Sequence, residues 1–413
     1  MNPRIILEQA FQSAVNAAKP GQAVRQAVKS ISPPLLGRTI VLGAGKAAAS
    51  MAKAFEAAWM GELEGLVVTR YGHAIEKPER IEVIEASHPI PDATSEIAGI
   101  RMLEKLQNLS EHDLVIVLIS GGGSALMVSP NGVTRDEKFD INQKLLNSGA
   151  DITEINTVRK HLSSIKGGRL AIAAAPAMVI SLIVSDVVGD DLSTIASGPT
   201  VPDPSSLQDA IAVLERYKIA SPSAMKYFQS ALNETPKPGH PAFNRVENRL
   251  IVTNKNALEA ARTQLEHSGF NASIWSEGVT GEAREAARIH ANLARKLEPQ
   301  TAMLSGGETT VTVRGTGLGG RNCEFLLALT LELQGETGIY AVACDTDGID
   351  GVTEAAGAIM TPNTLERALK LGLDPQAMLE NNDAYSFFKA LGDLVIVGPT
   401  GTNVNDFRCI IRE

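Results

Sequence analysis

A strand that runs directly into three glycines constrains the fold of this chain more than any other stretch. Leu114–Ile119 is an unbroken run of apolar, mostly branched residues, the pattern of a strand buried on both faces of a sheet. The Ser-Gly-Gly-Gly-Ser run Ser120–Ser124 follows at once. Glycines leave the backbone open to a ligand and permit φ > 0, so that successive N–H groups can turn towards one point. The stretch therefore predicts either an anion cradle, extended by a helix that begins near Ser124, or a tight turn that binds nothing.

Length, charge and cysteine content exclude several classes of protein. The 413 residues are more than one core usually organises, which predicts two domains. A net charge of −9 and an aromatic content of 4% argue against nucleic-acid binding. The three cysteines, Cys323, Cys344 and Cys409, are scattered and support neither a disulfide framework nor a zinc site. Because the chain also shows no signal-peptide core and no apolar run long enough to span a bilayer, we expect a cytoplasmic protein that does not act at a membrane.

Strands and helices alternate along the chain, which predicts an α/β fold with parallel sheets covered by helices. Glu234–Pro241 holds three prolines and a glycine and is the best linker candidate. We therefore place one domain at residues 1–236 and a smaller α/β domain at residues 237–413. The last two apolar segments, Leu394–Val397 and Cys409–Ile411, predict a terminal hairpin.

A helix is expected to begin at Asp151, because Glu154 stands at its third position as in a capping box. Apolar residues along this segment define one helix face. Its cations lie elsewhere and are expected on a solvated face: Arg159, Lys160 and Lys166.

In parallel α/β sheets, ligands bind beyond the carboxyl ends of the strands, and polar residues gather at those positions here. Glycines, serines and a lysine suit an anionic ligand, whereas aspartates suit a hard cation such as magnesium, which prefers oxygen ligands. Together they suggest phosphoryl transfer, in which positioning and charge stabilisation do most of the work. The positions are Lys46, Ser120–Ser124, Asp186 with Asp190, the loop expected at Ser305–Glu308, and Asp345 with Asp347 and Asp350.

Other readings of the same residues stay open. Gly43-Ala44-Gly45-Lys46 satisfies the loose dinucleotide fingerprint Gly-x-Gly-x-x-Ala, which makes a nicotinamide-dependent reductase the main rival. The following strand ends at Arg70 without the acid that NAD binding expects, so only an NADP reading survives. The segment from Asp345 begins like a calcium loop, but its twelfth position is Ala356 rather than glutamate. Aspartates in such loops are also common turn formers.

Eight segments occurring together and in order make the chain resemble the glycerate 2-kinases whose C-terminal part is called the MOFRL domain. The resemblance covers nearly the whole chain. One departure is Cys323, where the motif usually carries Gln. The segments are Val41–Lys46, Ser87–Asp92, Ile119–Leu126, Ser185–Asp191, Ala196–Thr200, Leu304–Glu308, Gly319–Glu324 and Asp345–Gly351.

The resemblance implies phosphorylation of the 2-hydroxyl of D-glycerate to 2-phosphoglycerate, with ATP and Mg²⁺. It also implies a Rossmann-like N-terminal domain, a MOFRL region at about residues 300–405, and an active site in the cleft between the two domains. Relatives have been labelled hydroxypyruvate reductases, so that activity and a non-catalytic sugar-acid binder are kept as alternatives. We expect a monomer or homodimer that binds glycerate and a nucleotide.

The residues expected at the site fall into three groups. Lys46 and Arg321, which match the family's proposed lysine and arginine, and Asp190 are expected to be catalytic. Magnesium is expected at Asp186, Asp190, Asp345 and Asp347. Substrate or nucleotide is expected at Gly45, Ser87, Ser120, Gly121, Gly122, Gly123, Ser124, Ser305, Gly306, Gly307, Glu308 and Asn322.

Overall fold

The computed structural model describes residues 2–74 and 77–413. Within them, no helix has both the length and the apolarity needed to cross a membrane. The strands are β1 Thr39–Ala44, β2 Glu64–Arg70, β3 Ile81–Ala86, β4 Leu114–Ile119, β5 Met178–Val184, β6 Val246–Val252, β7 Asn271–Glu282, β8 Thr301–Thr310, β9 Ile339–Asp345, β10 Gly357–Met360, β11 Leu394–Val395 and β12 Asp406–Arg412. The helices are α1 Pro3–Ala18, α2 Pro20–Val28, α3 Ala48–Ala58, α4 Ala93–Lys105, α5 Gly123–Leu126, α6 Arg135–Asn147, α7 Ile152–His161, α8 Arg169–Ala174, α9 Leu207–Arg216, α10 Pro222–Phe228, α11 Asn254–His267, α12 Ala283–Ala294, α13 Arg321–Leu333, α14 Thr364–Lys370, α15 Pro375–Glu380 and α16 Ala384–Leu391.

The chain forms two compact units that differ from the predicted division at residue 236. The N-terminal unit is Pro20–Ile251, and the C-terminal unit combines Met1–Lys19 with Val252–Glu413. Helix α1 belongs to the C-terminal unit because its apolar face packs there: the rings of Phe11 and Phe407 lie 5.7 Å apart. The first helix of the sequence thus completes the core of the last domain.

The predicted linker Glu234–Pro241 is wrong, because its first residues are packed into the N-terminal unit. Thr235 is 2% exposed. Glu234 accepts from the N–H of Leu207 at 3.0 Å, and its carboxylate lies 2.9 Å from His161 Nε2. Burial disfavours ionisation of the Glu234 carboxyl group, but the hydrogen bonds to its carboxylate outweigh this effect and lower the pKa of Glu234 to about 2. The chain passes between the units elsewhere, from Lys19 to Pro20 and from Ile251 to Val252.

The sheet of the N-terminal unit has the strand order β3-β2-β1-β4-β5-β6, and the pairs among β1 to β5 are parallel. Every residue of β1 and β4 is buried, because helices cover both faces of such a sheet. The order reverses between β1 and β4, the switch point at which α/β sheets open a binding crevice. The Rossmann-like prediction is confirmed here.

A helical layer completes this unit. Helices α6, α7, α9 and α10 share a second apolar core around Ile141, Val158, Leu207 and Phe228. The predicted helix start at Asp151 is confirmed: its carboxylate accepts from Glu154 N–H at 2.9 Å, and Glu154 accepts from Asp151 N–H at 3.2 Å. This layer carries cations that bear on the site.

The C-terminal unit holds a mixed sheet in the order β11-β10-β9-β12-β8-β7. The predicted terminal hairpin is wrong, because β11 pairs with β10 whereas β12 lies between β9 and β8. The expected loop Ser305–Glu308 is also wrong, since these residues lie inside β8. Both errors arise because strand pairing is decided by distant segments.

Candidate active site

The turns after β1 and β4 are bonded to each other at the switch point. Ala44 is the register partner of Ile119, so Gly45 and Ser120 leave the sheet side by side. Gly45 has a φ of 139°, and a Cβ there would lie 2.1 Å from Ser120 Oγ and 2.4 Å from its carbonyl oxygen. Only glycine fits a backbone that approaches its neighbour this closely.

The amide groups of the turn that precedes α3 form hydrogen bonds inside the protein. Gly45 N–H donates to Val68 O at 3.1 Å and Lys46 N–H to Gly121 O at 2.8 Å. Ala47 N–H donates to Ser120 Oγ at 3.0 Å. A dinucleotide places its pyrophosphate on such amides at the start of the first helix. This turn therefore lacks the free donors that the Gly-x-Gly-x-x-Ala reading requires.

Three side chains from different loops approach the glycines after β4. A Cβ on Gly121 would lie 2.5 Å from Asp186 Oδ2, and one on Gly122 would lie 2.9 Å from His88 Cδ2 and 3.6 Å from Lys46 Cγ. Gly122 has a φ of 82°, a left-handed backbone conformation that is unfavourable for residues with a Cβ. The structure thus brings the predicted residues Lys46 and Asp186 close to these glycines, together with His88. His88 follows Ser87 in the loop after β3 and was missed, because a lone loop histidine gives no positional signal.

The far end of the cradle is held by the turn at Ile195–Ser197. Ser124 Oγ lies 2.9 Å from Ser197 Oγ, whose hydroxyl donates to Asn156 Oδ1 at 3.3 Å. A Cβ on Gly123 would lie 3.0 Å from the Ala196 methyl group. Helix α5 does begin near Ser124, but it has a single turn. Its role is to fix the bend of the backbone, since one turn sums few peptide dipoles.

The three acids of the loop after β5 differ in their surroundings. Asp191 accepts from Ser193 N–H at 2.9 Å and from the Thr194 hydroxyl at 2.7 Å, so it holds the turn. Asp190 has a φ of 56° and its N–H donates to Val187 O at 3.0 Å. Asp186 is the member of this loop that reaches the cradle.

Arg321 is the first residue of α13, and carboxylates from three strands surround its guanidinium. Its Nε donates to Asp406 at 2.6 Å, Nη2 to Asp345 at 2.8 Å and Nη1 to Glu308 at 3.0 Å. A cation at a helix N-terminus opposes the helix dipole by roughly 0.3–1 kcal/mol. The three acids offset that cost, so Arg321 is the centre of an ion cluster in the C-terminal unit.

The acids of this cluster differ in their ionisation. Burial opposes the charge of Asp406, but the guanidinium groups of Arg408 and Arg321 outweigh it and lower its pKa. Burial and the nearby Asp347 raise the pKa of Asp345 well above its usual value despite Arg321. Asn322 is fully buried and donates from Nδ2 to Asp406 at 2.9 Å. Asn322 therefore supports the ion cluster directly.

The second Ser-Gly-Gly stretch, Ser305–Gly307, lies within β8, where its glycines allow neighbouring groups to pack closely against the strand. Gly306 and Gly307 face Phe407 and Asp406 across the β8–β12 ladder. A Cβ on Gly306 would lie 1.8 Å from Asn254 Oδ1, and one on Gly307 would lie 2.2 Å from Val279 O. The side chain of Glu308 in β8 joins the ion cluster, but the backbone of this stretch is paired within the sheet. The Ser120–Ser124 turn, in contrast, leaves its sheet.

The four predicted metal ligands are divided between the two units. Among residues 2–74 and 77–413, no group of three or more His, Cys, Asp or Glu side chains is arranged to hold a metal ion. Magnesium needs only one or two carboxylates when phosphates and water complete its shell. Asp186 beside the cradle, with Asp190 in the same loop, fits that requirement. Asp345 is engaged by Arg321 and by Asp347 N–H at 2.9 Å.

A cavity of about 540 Å³ in the N-terminal unit begins at the cradle. One side contains His88, Gly122 and Ser124, and the other contains cations from the helical layer: Lys138, Arg159 and Lys166. The solvated face predicted for Arg159, Lys160 and Lys166 is wrong for both lysines, which are 6% and 2% exposed. One signal was available: none of the three has an acid three or four residues away, although solvated helix faces usually carry such pairs.

Comparisons with known proteins cover nearly the whole chain. Residues 6–229 match the model described as a domain of unknown function, DUF4147, and residues 301–406 match the MOFRL family. The D-glycerate 2-kinase of Thermotoga maritima is 42% identical, over 96% of this chain and 95% of that protein. A crystal structure of glycerate kinase from the same organism superposes with a TM-score of 0.92 at 40% identity, over 99% of both chains. A protein of Agrobacterium vitis with a provisional name as hydroxypyruvate reductase is 49% identical, over 100% of this chain and 95% of that protein.

Proposed function

The chain belongs to the glycerate kinase family, and on that premise we propose that it is a glycerate 2-kinase. It would transfer the terminal phosphoryl group of ATP to the 2-hydroxyl of D-glycerate and release ADP and 2-phosphoglycerate. Relatives named as glycerate kinases match it over almost their full length, which supports transfer to a small hydroxy acid. The provisional reductase name of another relative makes hydride transfer the activity to be distinguished.

One observation separates these two activities. The amides of Lys46 and Ala47 donate to Gly121 O and Ser120 Oγ, and so are withdrawn from the position where a Rossmann enzyme holds a dinucleotide pyrophosphate. The β1 turn instead directs the Lys46 side chain towards Gly122. A lysine beside an open glycine backbone suits a transferring phosphoryl group, whose charge is spread over three oxygens.

The residues of the cradle have distinct roles in this proposal. Lys46 stabilises the charge that develops on the phosphoryl oxygens. The backbone of Gly121 and Gly122 receives the anion closely because neither residue carries a Cβ. His88 lies within hydrogen-bonding reach of a ligand above Gly122. A strong general base is not required, because the transition state of phosphoryl transfer is loose.

ATP and magnesium belong to the proposal. Asp186 and Asp190 would hold Mg²⁺ together with phosphate oxygens and water, and the bound ion would neutralise charge between the phosphates. The Asp345 and Asp347 pair is the less suitable location, because the Arg321 cation already engages Asp345. Arg321 is assigned a catalytic role by the resemblance. Its three carboxylate bonds use three of the five N–H donors of the guanidinium, so it would contact a substrate anion through the remaining donors or by exchanging a carboxylate partner.

A direct assay tests the reaction class. Purified protein with D-glycerate, ATP and Mg²⁺ is expected to form ADP and 2-phosphoglycerate, identified by mass spectrometry. Hydroxypyruvate with NADH or NADPH should show no loss of absorbance above background. Nicotinamide oxidation without ADP formation would establish the reductase instead. Saturable glycerate binding with neither activity would identify a non-catalytic sugar-acid binder.

A further inference from the structure

Three cations of the helical layer line the cavity that also contains Gly122 and Ser124. Lys138 comes from α6, Arg159 from α7, and Lys166 from the segment between α7 and α8. Lys138 and Lys166 are 5% and 2% exposed. They come from separate positions in the sequence, so the tertiary structure alone brings them together.

These cations have neutral partners in place of acids. Lys166 Nζ donates to Met127 O at 2.6 Å, and Lys138 Nζ donates to Arg159 O at 3.3 Å and also to Leu162 O. Arg159 Nε donates to Asn142 Oδ1 at 3.4 Å. No carboxylate of residues 2–74 or 77–413 forms an ion pair with any of the three. An ammonium group has three N–H donors and a guanidinium has five, so these hydrogen bonds leave donors unused on each of the three side chains.

Burial and mutual repulsion make the charged forms of these cations unfavourable. Burial, with repulsion from Arg159, lowers the pKa of Lys166 to about 7. Burial, with repulsion from Lys166, Arg159 and Arg169, lowers the pKa of Lys138 well below its usual value. Burying an unpaired charge is costly, and proteins normally pair it or neutralise it.

Lys160, next to Arg159 in α7, is a buried lysine whose charge is balanced by an acid of the protein itself. Lys160 is as buried as Lys138 and pairs with the fully buried Asp203 at 3.4 Å. Lys160 does not line the cavity. Arg159 and Lys160 are adjacent in α7, yet within the part of the chain that the structure describes only Lys160 has an acid. This contrast indicates that a ligand supplies the counter-charge for Arg159, Lys138 and Lys166.

We propose that Lys138, Arg159 and Lys166 form a binding site for an oxyanion group, a carboxylate or a phosphate, of a ligand that lies in this cavity. The volume of about 540 Å³ is within the range of small-molecule pockets. Apolar residues such as Ile90 and Phe139 line the remainder of the wall. This site deepens the proposed function, on which the identity of the ligand rests: the oxyanion belongs either to glycerate or to the nucleotide.

The test measures binding by calorimetry in wild type, Lys166→Met and Arg159→Gln. Lys160→Met is the matched control, because it removes a buried lysine that has its own acid. Three probes are titrated separately: inorganic phosphate, D-glycerate, and ATP with Mg²⁺. Inorganic phosphate makes the test independent of the proposed reaction. Melting temperatures of all four proteins verify that each variant is folded.

The expected result is at least a tenfold weaker binding of phosphate in both cavity variants, with Lys160→Met binding like wild type. A parallel loss for glycerate alone would assign the oxyanion to the acceptor, and a loss for ATP alone would assign it to the nucleotide. Equal affinity of folded wild type and cavity variants for all three probes would overturn the site. If wild type shows no kinase activity but binds phosphate in a Lys166-dependent manner, the site stands and the proposed reaction fails.

Discussion

The guanidinium of Arg321 and the carboxylate of Asp406 are joined by a hydrogen bond of 2.6 Å between Nε and Oδ1. Asp406 is fully buried and also pairs with Arg408. The same guanidinium bonds to Asp345 and Glu308, so one planar fork joins three strands of the sheet to the start of α13. Arg321, which the sequence predicts to be catalytic, therefore also holds the start of α13 against the sheet.

Arg321→Lys is expected to lower both stability and turnover. A lysine carries a point charge and cannot satisfy three carboxylates in a fixed fork. Leaving a buried acceptor without its donor costs about 1–3 kcal/mol, which a shift of the urea midpoint would measure. Turnover with D-glycerate should fall by at least about tenfold.

Arg101→Lys is the control for that change. Arg101 makes a bidentate pair with Glu82 on the surface, where such pairs contribute roughly 0–1 kcal/mol. Its substitution should leave stability and activity close to wild type. Equal stability of Arg321→Lys and Arg101→Lys would contradict the structural role.

Gly122→Ala is expected to reduce turnover by at least about tenfold. The new methyl group would lie 2.9 Å from His88 Cδ2 and would displace that ring or the backbone of the cradle. Gly149→Ala is the matched control, because its φ of 77° is close to the 82° of Gly122 and its Cβ meets nothing within 4 Å. Both variants bear a similar strain of about 1–2 kcal/mol for φ > 0, so any further loss of stability in Gly122→Ala reports the contact with His88. Similar turnover in the two would argue against a cradle at Gly122.

Asp186→Asn is expected to raise the Mg²⁺ concentration needed for half-maximal turnover. An amide keeps the shape of the side chain but loses the charge that attracts the cation. Asp191→Asn serves as the comparison, because Asp191 holds its own turn and the asparagine carbonyl oxygen can still accept from Ser193 N–H. Steady-state rates across a magnesium titration provide the measurement. An unchanged magnesium dependence in Asp186→Asn would show that Asp186 does not bind the ion.

The stability of the protein should depend on pH through Lys166. The folded pKa of about 7 is below the ordinary 10.5 of the side chain, because burial and Arg159 disfavour the charged form. The folded state therefore binds this proton less well than the unfolded state does. The destabilising effect is complete below pH 7 and is relieved as pH rises towards 10.5, at about 1.4 kcal/mol per pH unit.

Lys166→Met lacks this dependence, so its advantage over wild type should be largest at pH 6 and shrink by pH 9. Urea unfolding at several pH values measures the difference. Lys138 contributes in the same direction, because removing Lys166 removes one of the charges that lower the pKa of Lys138. Lys160→Met should instead be less stable than wild type at both pH values, because it leaves Asp203 buried without its lysine. A constant difference between wild type and Lys166→Met would disprove the assignment.

The cysteines are expected to be unreactive in the native protein. All three are buried, and burial raises the pKa of Cys323, with a further contribution from Asp350. The thiolate is the reactive form, so a thiol reagent should label the folded protein slowly and label three sites only after denaturation. Rapid labelling of one site in the native state would show that a cysteine is accessible.

Much of the N-terminal unit could be predicted from local patterns. The apolar run Leu114–Ile119 matches β4 residue for residue, because burial on both faces requires a continuous apolar stretch. The helix start at Asp151 was equally local, since a capping box satisfies amides within one turn. The glycine turns after β1 and β4 could also be placed, because they follow strands that the pattern defines.

Only the tertiary structure decided the partners of charged and glycine residues. The Ser-Gly-Gly pattern occurs twice, yet Ser120–Ser124 leaves its sheet and Ser305–Glu308 stays within one. Arg321 meets acids from three strands, and Lys166 lies among cations from separate helices. Periodicity and caps act over a few residues and are encoded where they act. The solvation and pairing of a charge depend on which distant segments pack around it, so those interactions are determined by the whole fold.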